Sequence, residues 1–447
     1  MNNTTVDSHA LAERYIGPNG SPKVRFLLLV GFLSVFGSLC IDMYLPALPK
    51  ISQNLHASAS AIQLSLTMCL IGLAAGQIIY GVISDSLGRR RPLIAGLTLF
   101  IVASLCCSTA HSAVLLASFR FFQGLGGAAG IVISRAIVRD LFEGYQAARV
   151  FSLLMLVTGC GPVLAPQIGA ELLLLTSWRG VFVTLAVCGT ILLTLAITRV
   201  PETLHGDLRT DLGFRPAFKA MRRVGTSIVF LQHAIATSLG FGAVFAYIAG
   251  ASFAIENIYH ASAQEFGLLF ALNACGMITA SQVSARIVRR VGAQRLMTGG
   301  LVGIATSTVT LLVVVLTHFG GLSAIVICMF ATMTSNGFVG PNAMALSLQG
   351  FPEVAGSASA LLGLAQFGLG AAIAPLVGIR GSKDIFPMAL VMAGMGVGAL
   401  VARVTLSSRA KRVAAEHARV AHAPMTLAPS LAGEVQAAQI PLVGETG

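Results

Sequence analysis
The feature that most constrains this chain is its succession of apolar runs, each about 20 residues long and parted by short polar breaks, the length needed to cross a bilayer. The runs fall at 24–46, 60–84, 92–110, 113–138, 147–175, 178–199, 226–254, 264–288, 294–317, 319–348, 354–378 and 384–406. Twelve such segments predict an all-α integral membrane protein, because only helices or closed barrels satisfy every backbone group in hydrocarbon. Composition agrees: charged residues make up 10% of the 447 positions, too few to cover a water-facing surface. Residues 1–22 are polar, and the first apolar run is long enough to span, so no cleavable leader is expected.

Charge gives the expected orientation. With the N-terminus inside, the clusters at Arg89–Arg91, Arg139/Arg149, 209–223, Arg286–Arg295 and Arg403–Arg419 all fall in the cytoplasm, as the positive-inside rule requires. The net charge of +12 is then a topology signal and implies no nucleic-acid partner. The organisation expected is a disordered cytoplasmic segment 1–22, a six-helix bundle 23–199, a cytoplasmic linker 200–225, a second bundle 226–406 and a tail 407–447, basic then disordered. The eight cysteines lie inside apolar runs, without CxxC spacing, and suggest neither metal nor disulfide. No GxxxxGK[ST] occurs, so no cofactor is expected and the energy source should be an ion gradient. GLGGAAG matches a dinucleotide pattern only by chance, since no strand precedes it.

The halves echo each other. GVISDSLGRRRPL (81–93) aligns with ARIVRRVGAQRLM (285–297) at an offset of 204, QGLGG (123–127) answers NGFVG (336–340), and APQIG (165–169) answers APLVG (374–378). Duplicated halves with a site between them are a common plan of secondary transporters.

Ionisable groups at membrane depth are costly and therefore functional candidates. Asp42 and Arg120 lie roughly 6 and 9 Å below the same surface at about 1.5 Å per helical residue, which suggests a shared cavity. A desolvated carboxylate near a cation can exchange a proton near neutral pH, so Asp42 is the expected proton carrier and Arg120 its tuner, against a static ion pair that fixes packing. Glu171 is a further candidate for the substrate cavity, but it and Arg135 also lie close enough to the interfaces to snorkel. Gln123, Tyr247, Asn273, Asn336 and Gln366 are mid-span polar groups that suit either a substrate cavity or interhelical hydrogen bonds. Helices four and five are rich in glycine, and Pro162 and Pro166 each remove a ladder hydrogen bond.

GVISDSLGRRRP resembles the signature loop of the major facilitator superfamily, with Gly81, Asp85, Gly88, Arg89 and Arg91 in place and Ser86 where a basic residue is usual. LLASFRFFQGLGGAA resembles that superfamily's helix-four antiporter motif. GCGPVLAPQIGA resembles its helix-five motif in degenerate form, through Gly161, Pro162, Pro166 and Gly169. DMYLPALP, SWRGVF and YIAGASFAIENIYHASAQEFGLLFALNA resemble the bicyclomycin/chloramphenicol resistance branch of bacterial drug:proton antiporters. The resemblance implies a monomeric inner-membrane exporter of small drug-like or metabolite molecules, driven by protons. An uptake symporter or facilitator of the same fold is the alternative. It also implies protonation at Asp42 tuned by Arg120. A cytoplasmic latch of Asp85, Arg89, Arg139 and Asp140 should join the halves in the outward-open state, with Asp85 facing the start of helix eleven near Gly356. Some multidrug relatives carry a second acid two turns earlier on helix one. Ser34 stands there, which favours neutral or weakly polar cargo over cations.

Overall fold
The computed structural model describes residues 23–142, 144–204, 214–348, 351 and 355–421; Ser38 and parts of 144–158, 214–220, 355–360 and 409–421 are described by backbone alone. The described chain is nearly all helix. The first half comprises α1 (Val24–Asp42), a 3-10 turn (Leu45–Ala47), α2 (Leu48–Asn54), α3 (Ala59–Leu87), α4 (Arg90–Ser108), α5 (Ala113–Leu141), α6 (Gly144–Leu175) and α7 (Trp178–Arg199). After α8 (Phe214–Gly225), the second comprises α9 (Ile228–Ser252, ending in a π-turn Phe253–Ile258), α10 (Ala263–Val291), α11 (Ala293–Thr317), α12 (Gly321–Leu348), α13 (Ala355–Val377) and α14 (Phe386–Ala421). Among the described residues, nine helices are long and apolar enough to span, or ten if the segments Val24–Gly37 and Leu39–Asn54, bent by 47° to each other, count as one span. Of the twelve spans expected, α6 and α13 are helices whose described apolar stretches, 159–175 and 361–377, are shorter.

Two expected boundaries shift. The last helix does not end near residue 406 but continues to Ala421. Residues 409–421 are rich in Ala, Arg, Lys and Glu, strong helix formers that extend a helix beyond its apolar part. The linker holds α8, an amphipathic helix with Arg222 and Arg223 in its last turn and Val224 buried against Phe230, Ala358 and Leu362. Arg209, residues 1–22 and the tail from 422 lie outside the described residues.

The internal repeat is written in backbone conformation. Gly88 and Gly292, 204 positions apart, end α3 and α10 with φ of 86° and 87°, a region that only glycine enters cheaply. At the other end of the same helices, His56 and His260 both take positive φ, and Ser58 and Ser262 are both N-caps. The Ser58 hydroxyl accepts from the Ala61 N–H at 3.2 Å, and Ser262 forms a full capping box with Glu265. The echo seen at the basic ends thus extends over the whole of α3 and α10.

Within the first half, α3 and α5 cross at backbone distance. A Cβ on Gly124 would run into the Cys69 carbonyl, and one on Gly72 into that of Phe121. Close approach of this kind is how helices gain packing energy in lipid, where no hydrophobic force drives them together. Gly124→Val is therefore expected to force α3 and α5 apart and to cut folded, monodisperse protein severely, as read by size exclusion in detergent. A normal profile would show that the crossing tolerates side chains.

Between the halves the contacts gather at the end away from the arginine clusters. Ser60 Oγ donates to the Pro375 carbonyl at 2.9 Å, Gln63 Nε2 to Ala249 at 3.0 Å, and Thr67 Oγ1 to Ala371 at 2.9 Å. Gln264 Nε2 donates to the Ala170 carbonyl at 2.9 Å. All three α3 donors lie in its first third, so the seam is closed at the start of α3. Among the described residues no hydrogen bond joins the two bundles at the opposite, basic end of α3.

Candidate functional site
Arg120 is the most buried charge described, with no exposed surface. It lies on the face of α5 turned into the first bundle. Nη1 donates to the Cys40 carbonyl at 2.9 Å and to Gln123 Oε1 at 2.6 Å. The guanidinium carbon sits 4.5 Å from the Tyr44 ring centre and 5.8 Å from that of Phe182. Nε and Nη2 have no hydrogen-bond partner among the described residues. The Cys40 bond has a backbone reason: α1 stops at Asp42, and the Tyr44 N–H, which would serve Cys40 in a longer helix, donates to Ile41. Arg120 therefore caps an orphaned carbonyl at the negative end of α1.

Asp42 is the residue on which α1 ends, and it is 7% exposed. It is not ion-paired with Arg120, since no described pair within 4 Å includes either residue. The sequence placed the two at one depth; the structure couples them through α1, with the guanidinium on Cys40 two residues before the carboxyl. The turn after Asp42, Leu45–Ala47, packs on α9 and α10 of the second half. The carboxyl thus stands at the hinge between Arg120's pocket and the closed seam.

The polar candidates separate into two groups. Gln123 is wholly buried and bridges Arg120 to the Ser104 hydroxyl at 2.8 Å, which makes it part of the arginine's support. Tyr247 and Asn273 meet: Asn273 Nδ2 donates to the Tyr247 hydroxyl at 2.7 Å, and Tyr247 stacks on Phe270. Asn336 is buried with its amide 3.8 Å from Met277 sulfur, while Gln366 is half-buried without a partner among the described residues. Glu171 is exposed and accepts from Gln167 at 2.9 Å, one helical turn away. Ser34 is buried and bonded to Ser134 at 2.7 Å.

Sequence reasoning passed over one acid. Glu256 lies in the π-turn that ends α9, with Oε1 buried and unpartnered among the described residues. This turn packs against α2, the helix that carries Lys50, across the seam. Glu256 lies two residues beyond the apolar run expected at 226–254, so the rule that singled out Asp42 did not reach it. A π-turn is a frequent mark of a functional position.

At the basic end of α3 the charges form a cluster within the first half. Arg89 Nε donates to Asp140 Oδ2 at 2.8 Å and Nη2 to Oδ1 at 3.2 Å, Nη1 donates to Asp85, and Thr203 donates to Asp140 at 2.9 Å. The Arg89 side chain is 4% exposed. Burial works against its charge, but Asp140 and then Asp85 outweigh this and hold its pKa above the ordinary value. Gly88 turns the chain so that the Glu202 carboxylate reaches the Arg89 N–H at 2.7 Å, and a Cβ at Gly88 would strike that carboxylate. Gly81 has open space at its Cβ. Arg91 and Arg139 are exposed and take part in no described ion pair. Asp85, 49% exposed, makes its described bond with Arg89 alone, and the side chains at the start of α13 lie outside the described residues. Asp140→Asn should leave Arg89 half-paired and lower stability by about 1.5–3 kcal/mol, the worth of hydrogen bonds to charged groups. Thermal unfolding in detergent reads this; an unchanged midpoint would show that Asp85 alone holds Arg89.

The helix-five motif residues sit where α6 meets other helices. A Cβ at Gly161 would approach Val35 of α1 to 2.9 Å, and one at Gly169 would meet the Met43 carbonyl just past Asp42. The helix runs through both Pro162 and Pro166.

Two membrane-embedded helical bundles, sealed together at one end and carrying buried charge beside the seal, define a transporter. The comparisons agree and set the family. The model of the Major Facilitator Superfamily matches residues 27–375, so the chain belongs to that superfamily. It is 37% identical over 377 residues to the uncharacterised MFS-type transporter YdgK of Bacillus subtilis (strain 168), covering 84% of this chain and 93% of that protein. It is 30% identical over 385 residues to a bicyclomycin resistance protein homolog of Haemophilus influenzae, covering 86% and 96%. The multidrug resistance protein MdtL of Escherichia coli matches at 32% over 58% of this chain and 65% of its own. A solved peptide transporter POT superposes with a TM-score of 0.72 at 16% identity, over 91% of this chain and 98% of that one, which bears on fold alone. The protein is a multi-pass membrane transporter of small molecules, and its family is one of transporters rather than enzymes.

Proposed function
We propose that this transporter exports small, neutral or weakly polar drug-like or metabolite molecules from the cytoplasm in exchange for protons entering the cell. The observation that carries the reading is Asp42: a buried carboxyl, unpaired among the described residues, at the end of α1 and next to the turn that meets the second half. A group that binds a proton there can bias which side the bundles open to, because a bound species shifts the equilibrium by its differential affinity for the two states. Arg120, locked by Gln123 and seated on Cys40, fixes the end of the helix that carries this acid. The kinship with bicyclomycin and multidrug resistance proteins supports export of such compounds. The arginine-rich ends face the cytoplasm in this reading, by the positive-inside rule, in a bacterial inner membrane. The sealed seam then faces outward, leaving the inward side ready to load. The chain works as a monomer, and the proton gradient replaces any cofactor.

The test is accumulation of a panel of neutral and cationic compounds in cells with and without the gene, before and after a protonophore. Lower accumulation of neutral compounds, abolished by the protonophore, is expected. Accumulation raised by expression would reverse the direction and favour the uptake reading.

A further inference from the structure
Arg135, in the last third of α5, is exposed and takes part in no ion pair or hydrogen bond among the described residues. Its direction follows from the contacts of its helix. A Cβ on Gly126 would strike the backbone of α4 at Gly96 and Phe100. Arg135, nine residues further on, is turned about 180° away from Gly126. On one side of it lies α1, since Gly130 abuts the Leu33 carbonyl and Ser134 bonds Ser34. On the other lies α3, since Ala128 abuts Gly76. Because α4 packs on α5 and α7 of the first bundle, the side of α5 turned away from it looks toward the second half.

Depth follows in the same way. Helices α3 and α5 run side by side in one direction, and the contact of Ala128 with Gly76 puts Arg135 level with Ile83. The seam has parted there. Ser60 and Thr67 bond the second half, but Gly81, on the same line of α3, has no described atom within 4 Å of its Cβ position. Arg135 thus stands at the open mouth between the bundles, with Arg139 one turn nearer the end. Among the described residues no carboxylate is left to answer it. Asp85 and Asp140 are bonded to the Arg89 side chain, and Glu202 to the Arg89 and Arg90 N–H groups. Asp42, Glu171, Glu256, Glu265 and Asp384 belong to the closed end.

We propose that Arg135 sets the charge of the cargo: it turns organic cations away at the mouth and admits neutral and anionic molecules. Low-dielectric walls focus the field of a fixed charge into the opening between them. A cation arriving at the basic end meets that field before any binding surface. A carboxylate or a carbonyl oxygen meets instead a free guanidinium with its five donors. The inference deepens the export reading and rests on it for one point, that cargo loads from the basic end.

The experiment is equilibrium dialysis of the full-length protein in detergent against three probes of nearly one shape: tetraphenylborate, an anion; tetraphenylphosphonium, a cation; and triphenylphosphine oxide, neutral with one acceptor oxygen. The readout is the ratio of borate to phosphonium affinity. Arg135→Gln should lower that ratio about tenfold and Arg135→Glu about a hundredfold, while Arg135→Lys keeps it. Lys219→Gln, which removes an exposed charge of α8, should also keep it. The neutral probe should bind wild type and every variant within about twofold, which shows the binding surface intact. A ratio unchanged in the Gln and Glu variants would overturn the proposal. So would an equal change for all three probes, or a wild-type protein that binds neither the neutral probe nor the anion. The ratio does not depend on protons or on the direction of transport. A shifted ratio in a protein that proves to be an uptake carrier would therefore refute export and leave the charge filter standing.

Discussion
Asp42→Asn is expected to reduce gradient-driven export to background while leaving the protein folded and in the membrane. The two side chains have nearly the same shape, so the packing of a residue that is 7% exposed is kept. No described ion pair is lost, because Asp42 makes none within 4 Å. What disappears is the ability to bind and release a proton. Loss of a structural carboxylate would lower the unfolding midpoint; loss of a proton carrier would not. The variant should therefore unfold at the wild-type temperature, still bind cargo, and exchange cargo down its own gradient without response to pH. An Asn variant that exports uphill with the wild-type pH profile would make Asp42 structural.

Arg120→Lys should cost roughly tenfold in transport, about 1.4 kcal/mol on the rate-limiting barrier. Lysine keeps the charge but has neither the planar face that lies over Tyr44 nor the reach that lets one nitrogen serve both the Cys40 carbonyl and Gln123. The end of α1 then loses its cap, and Asp42 moves with it. Arg120→Ala is a harsher change. It removes a wholly buried side chain from an aromatic pocket and leaves Cys40 and Gln123 unserved, and a stability loss of about 3–5 kcal/mol is expected, as when one member of a buried polar pair is deleted. The distinguishing readout is the pH profile of the Lys variant in protein shown to be folded. A shifted profile supports action through the α1 end, whereas wild-type rate and profile would show that any cation in the pocket suffices.

Much of this was legible in the sequence because lipid imposes simple rules. Apolar run lengths placed most helices, and the 204-residue echo located two halves that agree down to the φ values of Gly88 and Gly292. What failed to show was rotation about the helix axis. Depth put Asp42 and Arg120 at one level, but a span buried on several faces has little amphipathic signal to say which way a side chain points. Arg120 turned inward to Gln123 and Ser104 rather than toward the carboxylate. Tyr247 and Asn273, proposed separately, proved to be partners because α9 and α10 lie side by side. Glu256 fell just beyond the run expected at 226–254; the helix that carries Lys50, 206 positions earlier in the sequence, is brought against its turn only by the fold. The helical extension to Ala421 and α8 were not read from the sequence, which suggested a linker at 200–225 and a basic then disordered tail at 407–447, although both segments are rich in Ala, Arg and Lys.

The most direct test of the central claim uses everted membrane vesicles with an acid interior, a trapped pH-sensitive dye, and a neutral cargo added outside. Proton antiport predicts that cargo raises the internal pH as protons leave in exchange, that the protein carrying Asp42→Asn gives no response, and that cargo accumulates inside only while the gradient lasts. Cargo accumulation without any change in internal pH, or an equal pH response from the Asn variant, would contradict proton exchange through Asp42.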